Sequence, residues 1–241
     1  VFSPLPAQYA DYALWERSAH RAEYDAGALD YWRCTLSGLP AELPLPRDHP
    51  RDNVKLAASG RLAFAVDGET HQSLKRLATQ NNASLFMVLT ATLAALLHRL
   101  GGGEDIVIGA PIAGRPDPSL EPVVGCFVNT LALRLNVSGS ARFETLLAQT
   151  RQVCLGAYAH QQTPFQHVVE ALNPARHETR HPLFQVMLAL HNHASAALAF
   201  DGLRVTPVDV PPQPAKFDLS FAFTESVDCA TLRRAPRRDR D

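Results

Sequence analysis

One stretch of alternating side chains constrains the fold more than any other part of the sequence. From Phe127 to Leu135, large apolar residues alternate with smaller or polar ones, which is the pattern of a β-strand with one face in the core. Asn129 interrupts the apolar face, and a buried amide without hydrogen-bond partners costs about 1–3 kcal/mol. We therefore expect Asn129 to hydrogen-bond a specific neighbour, most simply by pinning an adjacent loop.

Hydrophobic periodicity predicts further helices and strands on both sides of this strand. Helices are predicted over residues 7–23, 27–36, 70–80, 84–100 and 140–158. Strands are predicted over residues 61–67, 105–110, 184–190 and 216–223. Serine is a preferred N-cap residue, so Ser84 and Ser140 are expected to begin the helices that follow them.

Composition narrows the class of protein. The 241 residues are 46% hydrophobic, which supplies a core for one large domain or two small ones. A net charge of −1 gives no general attraction to nucleic acid or to an anionic membrane, and no run of about 18 apolar residues indicates a membrane span. The four cysteines, at positions 34, 126, 154 and 229, lack metal-binding spacing, so we expect no metal site and a reduced, cytoplasmic setting.

The two ends of the sequence indicate a fragment. The chain begins at Val1, without a methionine or a signal peptide, as expected for a piece of a longer polypeptide. At the other end, arginine supplies five of the last nine residues, so residues 226–241 are expected to be a disordered or frame-shifted tail. Without aromatic residues or a supporting fold, this tail does not indicate a nucleic-acid-binding arm.

Five short motifs together resemble those of the condensation domains of nonribosomal peptide synthetases. They are Y-x-D-Y-A-x-W with Tyr9, Asp11 and Trp15; G-x-P-x-x-x-R with Gly109, Pro111 and Arg115; G-x-F-V-N-T-x-x-x-R with Phe127, Asn129, Thr130 and Arg134; H-Q-x-x-P-F with His160, Pro164 and Phe165; and R-x-x-x-R-x-P with Arg176, Arg180 and Pro182. They follow the family's order, the resemblance continues through K-F-D-L at residues 216–219, and it stops after Glu225. The chain departs from the family at Gln166, where glutamate is usual, and at His181, where asparagine is usual.

The resemblance implies an α/β fold of the chloramphenicol-acetyltransferase type, an α/β sandwich in which a mixed β-sheet packs against helices. It divides the chain into a helical junction over 1–38, a C-terminal lobe over 39–225 and the tail over 226–241. In this family a tunnel separates two such lobes, so the N-terminal lobe of the same domain is an expected partner. The family's catalytic motif, H-H-x-x-x-D-G, belongs to that first lobe and does not occur in this sequence.

The resemblance also implies an activity. Condensation domains form an amide bond between a donor acyl or peptidyl thioester and an acceptor aminoacyl thioester, both held on 4'-phosphopantetheine arms. The expected partners are upstream and downstream peptidyl carrier proteins and an adjacent adenylation domain, and no cofactor is expected to bind this chain directly. Because this chemistry needs a base within hydrogen-bond distance of the amine, the chain is expected to be inactive alone.

The motif residues are expected to fall into two groups. The resemblance implies that Gly109, Pro111, Arg115, Phe127, Asn129 and Thr130 line the tunnel, with Asn129 in a supporting role. It implies structural roles for Tyr9, Asp11, Trp15, Arg134, His160, Pro164, Phe165, Arg176, Arg180 and Pro182. For Arg115 a loop-clamping role is an equal alternative, and Trp15 is expected to be core packing, as is Trp32.

Two other functions stay open at this point. A lobe of this fold could dock carrier proteins without chemistry of its own, or it could belong to a free-standing acyltransferase of the same superfamily. An epimerisation domain is a third relative, but those domains lack the F-V-N-T pattern that residues 127–130 carry.

Overall fold

The computed structural model describes most of the chain. The described residues are 5–47, 59–174, 181–191, 202–203, 206, 208 and 215–225, with the backbone alone for 19–26. Within them, α-helices lie at Tyr9–Glu16 (α1), Ala19–Leu36 (α2), Gly68–Gln80 (α3), Leu85–Leu97 (α4), Phe143–Ala159 (α5) and Phe165–Leu172 (α6). Strands lie at Asp105–Ile112 (β1), Asn129–Asn136 (β2), Val186–His191 (β3) and Leu219–Thr224 (β4).

The four strands form one mixed sheet in the order β2-β1-β3-β4. β1 and β2 are antiparallel, with Ile108 opposite Leu133 and Ile112 opposite Asn129. β3 runs parallel to both of its neighbours, β1 and β4. Helices α4 and α5 pack on this sheet and on each other. The predicted fold class, an α/β arrangement with a mixed sheet against helices, is confirmed.

Helix α4 is the centre of the core. Ser84 is its N-cap, as predicted, and the Ser84 hydroxyl accepts a hydrogen bond from the Met87 amide at 3.2 Å. By length and composition, Leu85–Gly102 is apolar enough to cross a membrane. However, Val88 and Leu97 are fully buried within the described fold, and α4 packs on α3, α5 and β1. This is the arrangement of a core helix.

The predicted strand over residues 61–67 is wrong. Residues 61–67 form no regular secondary structure and pair with no strand in the described part of the chain, and Leu62 is 87% exposed. The ring of Phe64 packs edge-on against Phe223 of β4, with 5.7 Å between centroids. Among the described residues, the alternating pattern therefore gives an aromatic contact beside the sheet instead of strand pairing.

Two helix starts also differ from the prediction. The helix expected over 7–23 breaks at Ser18, which is extended (φ −69°, ψ 157°) and begins α2, and α2 then continues without a break to Leu36. Ser140 does not cap α5, because that helix begins at Phe143, and the Ser140 hydroxyl bonds that of Ser138 at 3.1 Å. Local N-cap preference does not decide which of several polar residues begins a helix.

Candidate substrate groove

A groove of about 970 Å³ opens on one side of the described fold. Its walls come from the corner between α1 and α2 (Trp15–Ser18), the loop after β1 (113–116), the approach to β2 (126–130) and the turn and first residues of α6 (161–162 and 164–167). Arg115, Phe127, Asn129 and Thr130, four residues of the predicted tunnel group, line it. Gly109 and Pro111 lie within β1 and do not line it.

Asn129 holds the turn that forms one wall of the groove. Its side-chain amide donates to the backbone carbonyls of Gln161 at 2.9 Å and Thr163 at 2.7 Å. Its carbonyl oxygen accepts from the Phe165 amide at 3.0 Å, which satisfies a free N–H at the start of α6. The Asn129 side chain thus makes three hydrogen bonds to the 161–165 turn, two as donor and one as acceptor. These are the bonds that the loop-pinning interpretation predicts.

Arg115 is held by contacts on both sides of its loop. Its guanidinium donates to the Leu120 carbonyl and lies 4.1 Å from the centre of the Phe127 ring, which is cation–π distance. Gly114 before it has φ +66°, and a Cβ there would overlap the Phe127 carbonyl, so this turn requires glycine. These contacts are those of a loop clamp, although Arg115 also faces the groove.

Aromatic residues of α1 pack on the approach to β2. The Phe127 ring contacts Tyr9 edge-on at 5.1 Å and Tyr12 at 4.7 Å. The Tyr9 hydroxyl donates to the Cys126 carbonyl at 2.9 Å. At the start of α1, Asp11 accepts from the Gln8 amide at 2.9 Å, which completes a capping box. The Tyr9 motif therefore docks α1 beside the groove.

The prediction that Trp15 packs in the core is wrong for this chain. It is 46% exposed, whereas Trp32 is 2% exposed and belongs to the core. Trp15 contacts Tyr12 at 5.7 Å between ring centroids and lines the groove. A large exposed aromatic ring beside a groove marks a surface suited to a partner.

Arg134 ties the end of α2 to the sheet. Its guanidinium binds Asp105 through two hydrogen bonds of 2.9 and 2.7 Å. It also donates to the carbonyls of Thr35 at 3.0 Å and Ser37 at 2.8 Å, near the C-terminus of α2, where free carbonyls concentrate. Arg134 lies outside the groove and fixes the helix that leads away from it.

The start of α6 packs into an aromatic cluster that includes a histidine. The ring of His181 lies 4.2 Å from that of Phe184 and 5.5 Å from that of Phe165. Burial lowers the pKa of His181, and its Nδ1 has no hydrogen-bond partner within the described residues. Pro164 is the N-cap of α6, and Pro182 is half-buried beside this cluster. Arg176 and Arg180 of the same predicted loop lie outside the described residues.

The polar lining of the groove combines charged, amide and imidazole side chains. Its lining charges are Glu16, Arg17 and Arg115, beside the amides of residues 161, 162 and 166 and the imidazole of His167. In the part of the chain that the structure describes, no three His, Cys, Asp or Glu side chains are grouped to hold a metal ion. Sequence reasoning missed the wall at Trp15–Ser18, because it predicted an unbroken helix there.

Comparisons with known proteins agree with the motifs. The family profile described as Condensation domain matches residues 2–234 and so extends nine residues past Glu225, where the motif resemblance was expected to end. A probable non-canonical nonribosomal peptide synthetase, CymA of Salinispora arenicola, is 45% identical over 230 residues, which are 93% of this chain and 3% of CymA.

Two solved structures have the same fold over most of this chain. The X-domain from teicoplanin biosynthesis is 31% identical with a TM-score of 0.84, over 94% of this chain and 52% of that one. The complex of the X-domain and OxyB from teicoplanin biosynthesis gives 30% identity and a TM-score of 0.83, over 95% and 50%. The chain therefore spans about half the length of these structures. On the family match and the groove built from its motifs, the chain belongs to the condensation domain family of nonribosomal peptide synthetases.

Proposed function

We propose that this chain is the C-terminal lobe of a condensation domain, the part that forms one wall of the substrate tunnel. In the complete domain, the donor acyl or peptidyl thioester would be attacked by the amine of the acceptor aminoacyl thioester, and an amide bond would form. Residues 1–38 would be the junction to the N-terminal lobe and residues 39–225 the lobe itself, with a cytoplasmic setting.

One observation carries this proposal: the groove lined by motif residues lies open beside exposed apolar side chains. Trp15 is 46% exposed, Val128 is 65% exposed, and both line the groove. Val124, two residues before the lining residue Cys126, is 87% exposed. Apolar residues grouped beside a groove support burial by a partner surface, for which we propose the N-terminal lobe.

The same geometry supports inactivity of the chain alone. Neither Asn129 nor Arg115 can take a proton from the attacking amine, because a carboxamide is not a base and a guanidinium stays protonated. The H-H-x-x-x-D-G motif is absent from the sequence. We therefore assign the acid–base chemistry to the N-terminal lobe, and to this chain the orientation of two phosphopantetheine arms. The arms belong to the carrier proteins that flank the domain.

An amide-formation assay tests this function. Acyl-loaded and aminoacyl-loaded carrier proteins are incubated with this chain, or with this chain joined to an N-terminal lobe that carries H-H-x-x-x-D-G, and the amide is measured by mass spectrometry. The joined protein should form the amide, and its variant with alanine for the second motif histidine should not. Amide formation by this chain alone at the rate of the joined protein would overturn the proposal.

A second candidate function rests on the structural comparison. The X-domain that this chain resembles is described in a complex with OxyB, so a protein of this fold takes part in binding another protein. This chain would then be a docking lobe that recruits a partner to the synthetase. The same assay separates the two functions, because a docking lobe would give no amide even when it is joined to an N-terminal lobe.

A further inference from the structure

A stacked pair of rings anchors the start of the turn at 160–165, the turn that Asn129 also holds. The rings of Tyr31 of α2 and His160 are parallel within 6°, with 4.0 Å between centroids. At this distance the two ring faces are in direct van der Waals contact. Neither residue lines the groove.

His160 is fixed at both its ring and its backbone. Its Nδ1 lies 2.9 Å from the Gly156 carbonyl, and since a carbonyl only accepts, Nδ1 carries the proton. The indole N–H of Trp32 donates to the His160 carbonyl at 3.3 Å, and the Thr163 amide donates to the same oxygen at 3.3 Å. The first residue of the turn is therefore attached to α2 through two successive aromatic residues.

The chain packs closely around this stack. A Cβ atom at Gly156 would come within 2.6 Å of the Tyr31 hydroxyl oxygen, so α5 approaches the ring of Tyr31 only because residue 156 is glycine. Trp32 is 2% exposed and holds the next position of α2 in the core. The stack thus has a rigid base on the α2 side.

The turn has two anchors on opposite sides. His160 attaches its start to α2, and Asn129 attaches Gln161, Thr163 and Phe165 to β2. Between and just after these anchors lie the wall residues 161, 162 and 164–167. A displacement of His160 would move the carbonyls that Asn129 binds, because only three residues separate His160 from Pro164.

We propose that Tyr31 and His160 are positioning residues, whose stacked rings set the place of the groove wall through the turn at 160–165. They touch no substrate, and they act through the carbonyls and the amide that Asn129 binds. The effect of the Tyr31–His160 stack on the groove wall is argued from the contacts above. The effect of the stack on amide formation rests on the proposed function.

Hydrogen exchange measured by NMR tests the positioning role without any need for activity. The Phe165 amide, which donates to Asn129, reports the turn, and the amides of β2 that hydrogen-bond to β1 report the whole fold. Tyr31→Leu and His160→Leu should speed exchange at Phe165 by about 5- to 30-fold, the factor for a loss of one or two kcal/mol, and should leave the β2 amides close to wild type. Tyr31→Phe keeps the ring and should restore slow exchange at Phe165.

A matched control removes a similar bond elsewhere. The imidazole of His98 lies 2.8 Å from the Gly103 carbonyl at the end of α4, outside the groove, so His98→Leu should leave Phe165 exchange unchanged. Equal acceleration at Phe165 and in β2 after Tyr31→Leu would show global destabilisation and would overturn the proposal, as would no acceleration at Phe165.

A second arm links the pair to the chemistry. In the joined two-lobe protein, the variants with faster exchange at Phe165 should have lower kcat/KM for amide formation. Tyr31→Phe should stay close to wild type in both. If the joined protein forms no amide at all, the proposed function fails while the exchange result still decides the positioning role. If exchange follows the prediction and kcat/KM stays constant, the link from wall to chemistry is refuted.

Discussion

Replacing Asn129 with alanine should destabilise the fold of this chain, because it removes three hydrogen bonds at once. The carbonyls of Gln161 and Thr163 lose their donor, and the Phe165 amide loses its acceptor. At about 0.5–1.5 kcal/mol net for each bond, the sum is about 1.5–4.5 kcal/mol. Since the site is half-buried and water from the groove reaches part of it, we expect a loss of about 2–3 kcal/mol. For a chain of this length that lowers Tm by about 4–12 °C.

Urea denaturation followed by circular dichroism measures this loss. Asn136→Ala is the matched control, because Asn136 lies exposed at the other end of β2 and its replacement should change stability by less than about 0.5 kcal/mol. Asn129→Asp keeps the acceptor for Phe165 but sets carboxylate oxygens against two carbonyls, so it should destabilise at least as much as alanine. If the stability of Asn129→Ala were within 0.5 kcal/mol of wild type, the role of Asn129 in holding the 161–165 turn would be refuted.

Three further predictions concern the core. Gly109→Ala should cost about 1–3 kcal/mol in urea denaturation, because its Cβ would overlap a buried phenylalanine ring. Gly60→Ala is the control, because a Cβ there meets no atom within 4 Å, and equal losses of stability in the two variants would contradict this packing. Burial lowers the pKa of His181 below 6.5, so the unfolded chain binds more protons and stability should fall as pH drops below about 6.5. His181→Phe should flatten that fall, and an unchanged pH slope would disprove the assignment. Burial raises the pKa of the Cys154 thiol to about 12, so iodoacetamide at pH 8 should modify exposed Cys126 and spare Cys154 until the chain unfolds. Peptide mapping would show which cysteine is modified first, and early labelling of Cys154 would count against its burial.

The strongest sequence patterns predicted the centre of the fold. The apolar alternation after Phe127 becomes β2, which begins two residues later at Asn129, and Ser84 begins α4 as expected. Those patterns are reliable because one face of each element is buried, which fixes its period. Residues 61–67 have the same alternation, yet pairing with a neighbouring strand is a tertiary property that alternation alone does not determine.

The site was predictable only in part. An amide within an apolar face identified Asn129 as a residue with specific partners, and the structure places those partners on one turn. The stack of Tyr31 on His160 joins residues 129 positions apart, so no local pattern indicates it. The corner at Ser18 was missed because the residues around it favour a helix on both sides.

The central claim is that this lobe forms one wall of a tunnel that a second lobe closes. Hydroxyl-radical footprinting of this chain alone and of the joined two-lobe protein tests that claim directly. Trp15, Val124 and Val128 should be labelled in the isolated chain and protected in the joined protein, while Leu62, which is 87% exposed away from the groove, should be labelled equally in both. Equal labelling of all four residues in the two proteins would contradict the account.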